Sequence, residues 1–310
     1  MYKRQAQVLP FLDAPLAPPE PERRAVALAD LQAFFANPSA VFLRERPGIR
    51  LEEWDETLEE TEPLAPDALE LYHVSSELFA ACATDTPPPP EAALFARGLL
   101  PPGSVGAQHY RTQTRAAQTL HATMERLLGT THPDAPRLLD LHAAPFTLTG
   151  RLDTLYGGRL AFFRPAKLKA KDRLQAWCAH VAWCAACGAT PPPPTVLAGT
   201  DEAIQFAPQP PERLLELLEI FWQGLQTPLP FFPNTSLKFA ESQEAKGKPP
   251  LERARDVWRG NVRAKGDCEA PSVRLCFGDA DAGGDPLDHT FETLALAVFG
   301  PLLAAEEPAV

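Results

Sequence analysis

Phe146-Thr147-Leu148-Thr149-Gly150-Arg151-Leu152-Asp153-Thr154-Leu155-Tyr156 alternates apolar and polar residues, the period of a strand with one buried face. Gly157-Gly158 follows as a two-residue turn, and Arg159-Leu160-Ala161-Phe162-Phe163 reads as the returning strand. The chain then enters a helix spanning about 171–187 that closes at Gly188. This strand–turn–strand–helix order sets the fold class: mixed α/β, with a small sheet containing a hairpin at 146–163.

Outward from that point the chain reads mostly as helix. Leu28, Leu31 and Phe35 keep helical spacing before Pro38, and a short helix at 39–46 stops at Pro47-Gly48. Pro66-Asp67 opens a helix to about Cys82, and the loop from Gly98 to Gly106 precedes a long helix at 107–128. Leu214, Leu217, Leu218, Phe221 and Leu225 form the apolar stripe of a helix at 211–225. Pro87–Pro90 and Pro191–Pro194 read as stiff connectors. Residues 1–25, with Pro10, Pro15, Pro18, Pro19 and Pro21, read as an extended arm or linker cut from a longer protein, and 26–310 as one domain.

The chain has 310 residues and a net charge of −11, which excludes a generally basic nucleic-acid coat protein but leaves room for a local basic groove. Seven acids between Glu52 and Glu62, with no Lys or Arg among them, read as a solvated acidic segment. No apolar run reaches 18 residues, so no membrane contact is expected. Six cysteines in a chain of this length suit a reducing cytoplasm. No Gly-Lys-Ser/Thr follows the glycines near 98–106, and no cofactor is expected.

Three constellations bear on chemistry. His180, Cys184 and Cys187 share one helix face, whereas Cys178 points away. Three ligands on one face fall short of the four a structural zinc needs, so the thiols read as buried packing and no metal is expected, a metal-stapled interaction module being the competing reading. No Gly-x-Ser-x-Gly elbow supports acyl transfer. In the third, Asp153 occupies the strand position where Mg²⁺-dependent nucleases of the restriction-endonuclease class keep an acid. The acidic-x-Lys triplet they need at the end of the next strand reads Arg164-Pro165-Ala166. Arginine replaces the second carboxylate and alanine replaces the lysine, so catalysis is not expected; an active Mg²⁺-dependent exonuclease is the alternative. Asp153 is expected to pair with Arg151 or Arg159.

Seven blocks, in order, resemble one family. They run from Leu28-Ala29-Asp30-Leu31, Phe34-Phe35, Pro38 and Phe42-Leu43 with Arg46, through Glu62-Pro63-Leu64 with Leu69 and Tyr72, to Leu100-Pro101 with Gly103 and Gly106. Leu148-Thr149-Gly150 and Arg164-Pro165 follow, then Leu174-Gln175-Ala176-Trp177 leading to His180-Val181-Ala182-Trp183-Cys184-Ala185. Gly224-Leu225 with Pro228-Leu229, and Ala254 with Trp258 and Gly260, close the series. The chain resembles the C-terminal domain of the gamma subunit (RecC) of exodeoxyribonuclease V. That resemblance implies a nuclease-like domain without nuclease activity. It also implies a role as scaffold and DNA guide in double-strand break repair, with RecB-like beta and RecD-like alpha subunits and DNA as partners. Lys167, Lys169, Lys171 and Arg173 crowd at the hairpin exit, where positive charge opposes the helix dipole, and they are the expected phosphate contacts.

Overall fold

The computed structural model describes residues 11–12, 14–51, 66–188, 190–262, 264–278 and 285–309; the acidic segment at 52–62 lies outside them. In chain order, β1 (Ala25–Ala27) leads into α1 (Leu28–Ala36) and α2 (Pro38–Glu45). Next come α3 (Ala68–Ala83), the short α4 (Glu91–Ala96) and α5 (Gly103–Leu128). Asp67 accepts from the Glu70 amide while Glu70 accepts from the Asp67 amide, so the expected start of α3 is fixed by a reciprocal cap. α5 begins four residues before its expected start and takes in Gly106, where a side chain has no room: a Cβ would lie 1.9 Å from the Pro101 carbonyl oxygen.

Four strands follow: β2 (Arg137–Ala143), β3 (Phe146–Leu152), β4 (Leu155–Tyr156) and β5 (Arg159–Phe163). The expected hairpin is corrected here. The Gly157-Gly158 turn forms, with both glycines at positive φ, but it joins only Leu155 and Tyr156 to Leu160 and Arg159. The long antiparallel partner of β3 is β2, with Arg137 opposite Leu152 and Ala143 opposite Phe146, while β1 runs parallel along the other edge of β3. The run that alternates from 146 to 156 therefore serves two sheets, changing from one to the other at Asp153-Thr154.

The second sheet is built around a crossover. From β5 the chain passes through α6 (Ala170–Cys187) to β6 (Thr195–Ala198), which pairs parallel with β5, and β7 (Ala203–Phe206) returns antiparallel to β6. α7 (Glu212–Gly224), α8 (Pro233–Glu241) and α9 (Pro250–Arg259) come next. A small hairpin of β8 (Gly260–Asn261) and β9 (Ala264–Lys265) follows, then α10 (Pro271–Phe277), α11 (His289–Ala305) and β10 (Glu306–Pro308). β10 pairs antiparallel with β7, giving the strand order β10-β7-β6-β5-β4.

α6 is the pillar of the molecule. Its buried residues include Leu174, Ala176, Trp177, Ala179, Val181 and Trp183, which lie all around the helix, and α1, α7, α8, β2, β5 and β6 pack on it. α7 buries the expected stripe of Leu214, Leu217, Leu218 and Phe221. Where α7 meets α1, Gly224 admits the Phe34 ring, which stands edge-to-face to Phe221 at 5.2 Å. A Cβ on Gly224 would fall 2.3 Å from two carbons of that ring. Phe232, Trp258 and Phe291 anchor a second cluster among the C-terminal helices. The proline-rich stretch before β1 lies against this body, where the Leu16 amide donates to the Gln226 carbonyl (2.8 Å) and Arg46 donates to the Ala17 carbonyl (2.7 Å).

Candidate nucleic-acid interface

β5 and β6 are parallel, and the loops at their carboxyl ends lie side by side, the location where open α/β sheets place their ligands. The loop from Arg164 to Lys169 leaves β5, and the turn from Gly199 to Glu202 leaves β6. They are clipped together at several points. The Arg164 amide donates to the Ala198 carbonyl (2.8 Å), the Thr200 amide to the Ala166 carbonyl (3.0 Å), and the Leu168 amide to Asp201 Oδ1 (3.1 Å).

Arg164 is the keystone. Its Nη1 donates to Asp172 Oδ1 at 2.6 Å, its Nε donates to the Lys167 carbonyl at 3.1 Å, and its guanidinium lies 5.0 Å from the centre of the Tyr72 ring. Asp172 uses its other oxygen to accept the Lys169 amide at 2.8 Å, which caps the start of α6. Both charged side chains are largely withdrawn from solvent, at 17% and 11% exposure. Arg164, the residue expected to replace a metal carboxylate, is thus a cation already committed to a carboxylate on the next helix. Ala166 contributes only its carbonyl. Asp153 sits past the end of β3, exposed and hydrogen-bonded to the Arg151 guanidinium, the first of its two expected partners. Arg159 instead donates to the carbonyls of Pro194 and Leu127.

The three lysines differ from Arg164. Lys167, Lys169 and Lys171 are exposed, and among the described residues none forms a salt bridge. Lys171 overlooks a hollow of about 420 Å³ between α1 and α6, which is also lined by Gln32, Arg164, Asp172 and Gln175. It also overlooks an adjoining hollow of about 230 Å³, where it is joined by Lys169, Asn37 and Asp267. Asp267 is occupied, accepting from Asn234 Nδ2, the Thr235 amide and the Thr235 hydroxyl at 2.8 Å each. The Lys167–Lys171 edge therefore offers free ammonium groups on a rigid loop.

Arg173 is corrected out of that cluster. One helical step past Lys171 and Asp172 turns it inward, where it is 8% exposed and donates to Glu202 Oε1 (2.7 Å) and to Glu306. Burial opposes its charge, but hydrogen bonds and charge from Glu306 and Glu202 outweigh that effect and raise its pKa. Burial likewise raises the pKa of Glu306. Arg173 ties α6 to the turn after β6 and to β10 and presents nothing to a phosphate.

His180 and Cys184 meet on the far side of α6, with Sγ 3.6 Å from Nε2, but among the described residues Cys187 does not complete a ligating group with them, and the chemistry of the histidine is already spoken for. Nε2 lies 3.0 Å from the Ala207 carbonyl, which only accepts, so Nε2 carries the proton. Nδ1 is left to accept from the Thr195 hydroxyl at 2.8 Å, and no lone pair is free for a metal. Cys184 accepts from the Gln209 amide at 3.4 Å. Burial lowers the pKa of His180 to about 4. Asp172, Tyr72, Gln32 and Asn37 are the residues at this edge that sequence reasoning did not assign. The one local signal was an acid at the third helical position of α6, a common capping place.

A family model described as the RecC C-terminal domain matches residues 23–244. The RecBCD enzyme subunit RecC of Mycobacterium tuberculosis is 28% identical over 313 residues, an alignment covering 93% of this chain and 28% of that protein. The RecC subunit of Mycolicibacterium smegmatis is 29% identical over 284 residues, covering 87% and 25% respectively. For the Escherichia coli subunit the identity is 26% over 218 residues, covering 68% and 19%. The chain spans about a quarter of the length of the curated relatives it matches.

Proposed function

This chain belongs to the RecC C-terminal domain family, and from that premise we propose that it is a non-catalytic scaffold and DNA guide within a RecBCD-type helicase–nuclease acting on broken DNA ends. The observation that carries the reading is the Arg164–Asp172 ion pair. Two-carboxylate metal sites hold Mg²⁺ with oxygen ligands, and here the second carboxylate position is filled by a guanidinium with its own counter-ion. The parallel β5–α6–β6 crossover, with Asp153 and Arg164 leaving successive strands, supports a restriction-endonuclease-like origin for the domain. The exposed lysines at the carboxyl end of that crossover supply sequence-independent phosphate contacts.

The test has two arms. The chain is incubated with linear duplex DNA and Mg²⁺ or Mn²⁺, and it is used as bait for RecB-type and RecD-type subunits. No cleavage together with capture of the RecB-type subunit is expected. Cleavage that disappears in Asp153→Ala would overturn the non-catalytic reading, and failure to capture either subunit would overturn the scaffold.

A further inference from the structure

We propose that the outer face of α5 is a second phosphate-backbone track, one that takes a single DNA strand running on from the Lys167–Lys171 edge. The proposal rests on the DNA-guiding reading above and extends it to a surface that reading does not use.

A groove of about 570 Å³ lies between α5 and the turn that follows β6. Arg111, Arg115 and Arg126 line it, and they fall within ~60° of helical arc along about 22 Å of axis. At ~3.4 Å of rise per nucleotide in a strand, that length matches about six phosphates. All three arginines are exposed, and among the described residues none has a carboxylate partner; Arg111 donates only to the neutral Gln108 side chain, at 3.2 Å. Three free arginines in one groove are unusual for a chain of net charge −11. Burial of an apolar stripe does not explain them, because Ala117, Met124 and Leu127 are buried on the inner face of α5 and Leu120, also buried, lies at the floor of the groove.

The opposite wall is less acidic than its sequence suggests. Glu202 shares the Arg173 guanidinium with Glu306, at 2.7 Å from Glu202, and Asp201 is held by the Leu168 amide at 3.1 Å, so the wall's two carboxylates are engaged away from the three arginines. Thr112, Thr119 and Thr123 complete the helix side, and each hydroxyl donates to the carbonyl four residues back. What they turn to the groove is acceptor oxygen, whose weak dipoles leave the guanidinia as the dominant charge. Among the described residues no aromatic ring lines the groove, so recognition is through the backbone and not by base stacking.

Continuity with the first edge is direct. The turn at Gly199–Asp201 forms a wall of the groove and is clipped to the loop at 166–168. A Cβ on Gly199 would meet the Ala166 carbonyl oxygen and Leu168 Cγ at 2.8 Å, so the two loops are in full contact. Lys167 belongs to the loop clipped to this wall, and the α5 arginines line the groove that the wall bounds. A strand running from that loop into the groove meets cations in both.

The test measures binding of a labelled oligo(dT) single strand to the whole chain by fluorescence anisotropy at several salt concentrations. The variants are R111Q/R115Q, R126Q and K167Q/K169Q/K171Q; glutamine is a good helix former, and circular dichroism checks that α5 persists. In R111Q/R115Q we expect at least tenfold weaker binding at low salt. Its log K against log salt slope should be shallower by about 1.4, which is two contacts at ~0.7 each on a single strand. Affinity and slope unchanged in R111Q/R115Q would overturn the inference whatever the lysine variant does. Loss in the arginine variant with none in the lysine variant upholds the α5 track and removes the lysine edge from the reading above. Binding of a polyglutamate peptide without binding of oligo(dT) would assign the groove to an acidic protein segment and overturn the proposal.

Discussion

Arg164 and Asp172, eight residues apart, meet at 2.6 Å and join the end of β5 to the first turn of α6. The pair is only slightly exposed, and Asp172 also holds the Lys169 amide. Removing the carboxylate leaves a withdrawn guanidinium and an uncapped amide, the costly way to break such a contact. Asp172→Ala is expected to destabilise the chain by about 2 kcal/mol, and Asp172→Asn, which keeps a capping oxygen, by less. Urea denaturation of the two variants checks the order; equal stability to the unmodified chain in both would show that the pair holds nothing.

The lysine edge predicts a different signature. Lys167, Lys169 and Lys171 are exposed and, among the described residues, without a salt bridge, so K167E/K169E/K171E is expected to lower low-salt affinity for linear DNA by at least tenfold while leaving the unfolding free energy within about 0.5 kcal/mol of wild type. Lys238→Glu should matter less, since Lys238 already lies 3.9 Å from Glu241. Unchanged affinity in the triple variant, read by filter binding, would place the DNA path elsewhere.

Arg173 is the counterpart control. It is 8% exposed between Glu202 and Glu306, and a neutral replacement strands Glu306 in a buried place with no counter-ion. Arg173→Met is expected to cost about 3–5 kcal/mol, far more than any of the exposed lysines. Thermal unfolding measures it, and a loss below 1 kcal/mol would mean that Glu306 is content without its partner.

These contrasts mark how far the sequence could be read. Helical periods gave α1, α3 and α7 nearly to the residue, because each buries a stripe that the 3.6 period exposes, whereas α6, buried all around, was bounded by its closing Gly188. Alternation found β3 and β5, but alternation specifies which face is buried and not which strand lies alongside. Hence the Gly157-Gly158 turn was right while the partner of β3 was not. β6 and β7 have four residues each, too few for a period, and β2 turns Leu139, Leu141 and Ala143 inward while the exposed Leu138 blurs that alternation in the sequence. At the candidate site Lys167, Lys169 and Lys171 were legible as a charge cluster. Arg173 differs from them only in facing the core, which depends on Glu306 from the far end of the chain.

Gly224 offers a test of the packing at the heart of the family resemblance. A Cβ there would sit 2.3 Å from the Phe34 ring, which is itself held edge-to-face by Phe35 and Phe221 at 5.2 Å each. The ring cannot yield without disturbing both neighbours. Gly224→Ala is expected to destabilise by about 1–3 kcal/mol, despite alanine being the better helix former. The compensating pair Gly224→Ala with Phe34→Leu should recover part of the loss. A Gly224→Ala chain as stable as wild type in urea would show that α1 and α7 can separate freely.

His180 sets the pH response of the core. Buried beneath Trp177 and Phe206, it donates from Nε2 to the Ala207 carbonyl and accepts the Thr195 hydroxyl at Nδ1, so the folded state holds it neutral with a pKa of about 4. Once unfolded it takes up a proton near its ordinary value of 6.5. Between those two values the unfolded chain binds the extra proton, so the stability this residue contributes is complete above pH 6.5 and is lost as pH falls through the folded pKa. The full effect is about 3 kcal/mol, and in that window the unfolding free energy should fall with a slope approaching one proton. His180→Asn keeps hydrogen-bonding groups but cannot titrate, so its stability should be lower at pH 7 and flatter toward pH 4.5. Urea denaturation across this range measures both slopes, and the imidazole C2–H resonance of His180 should stay unshifted from pH 7 to 5. A resonance that titrates near 6.5 would mean that water reaches the ring and that α6 is not clamped to β6 through it.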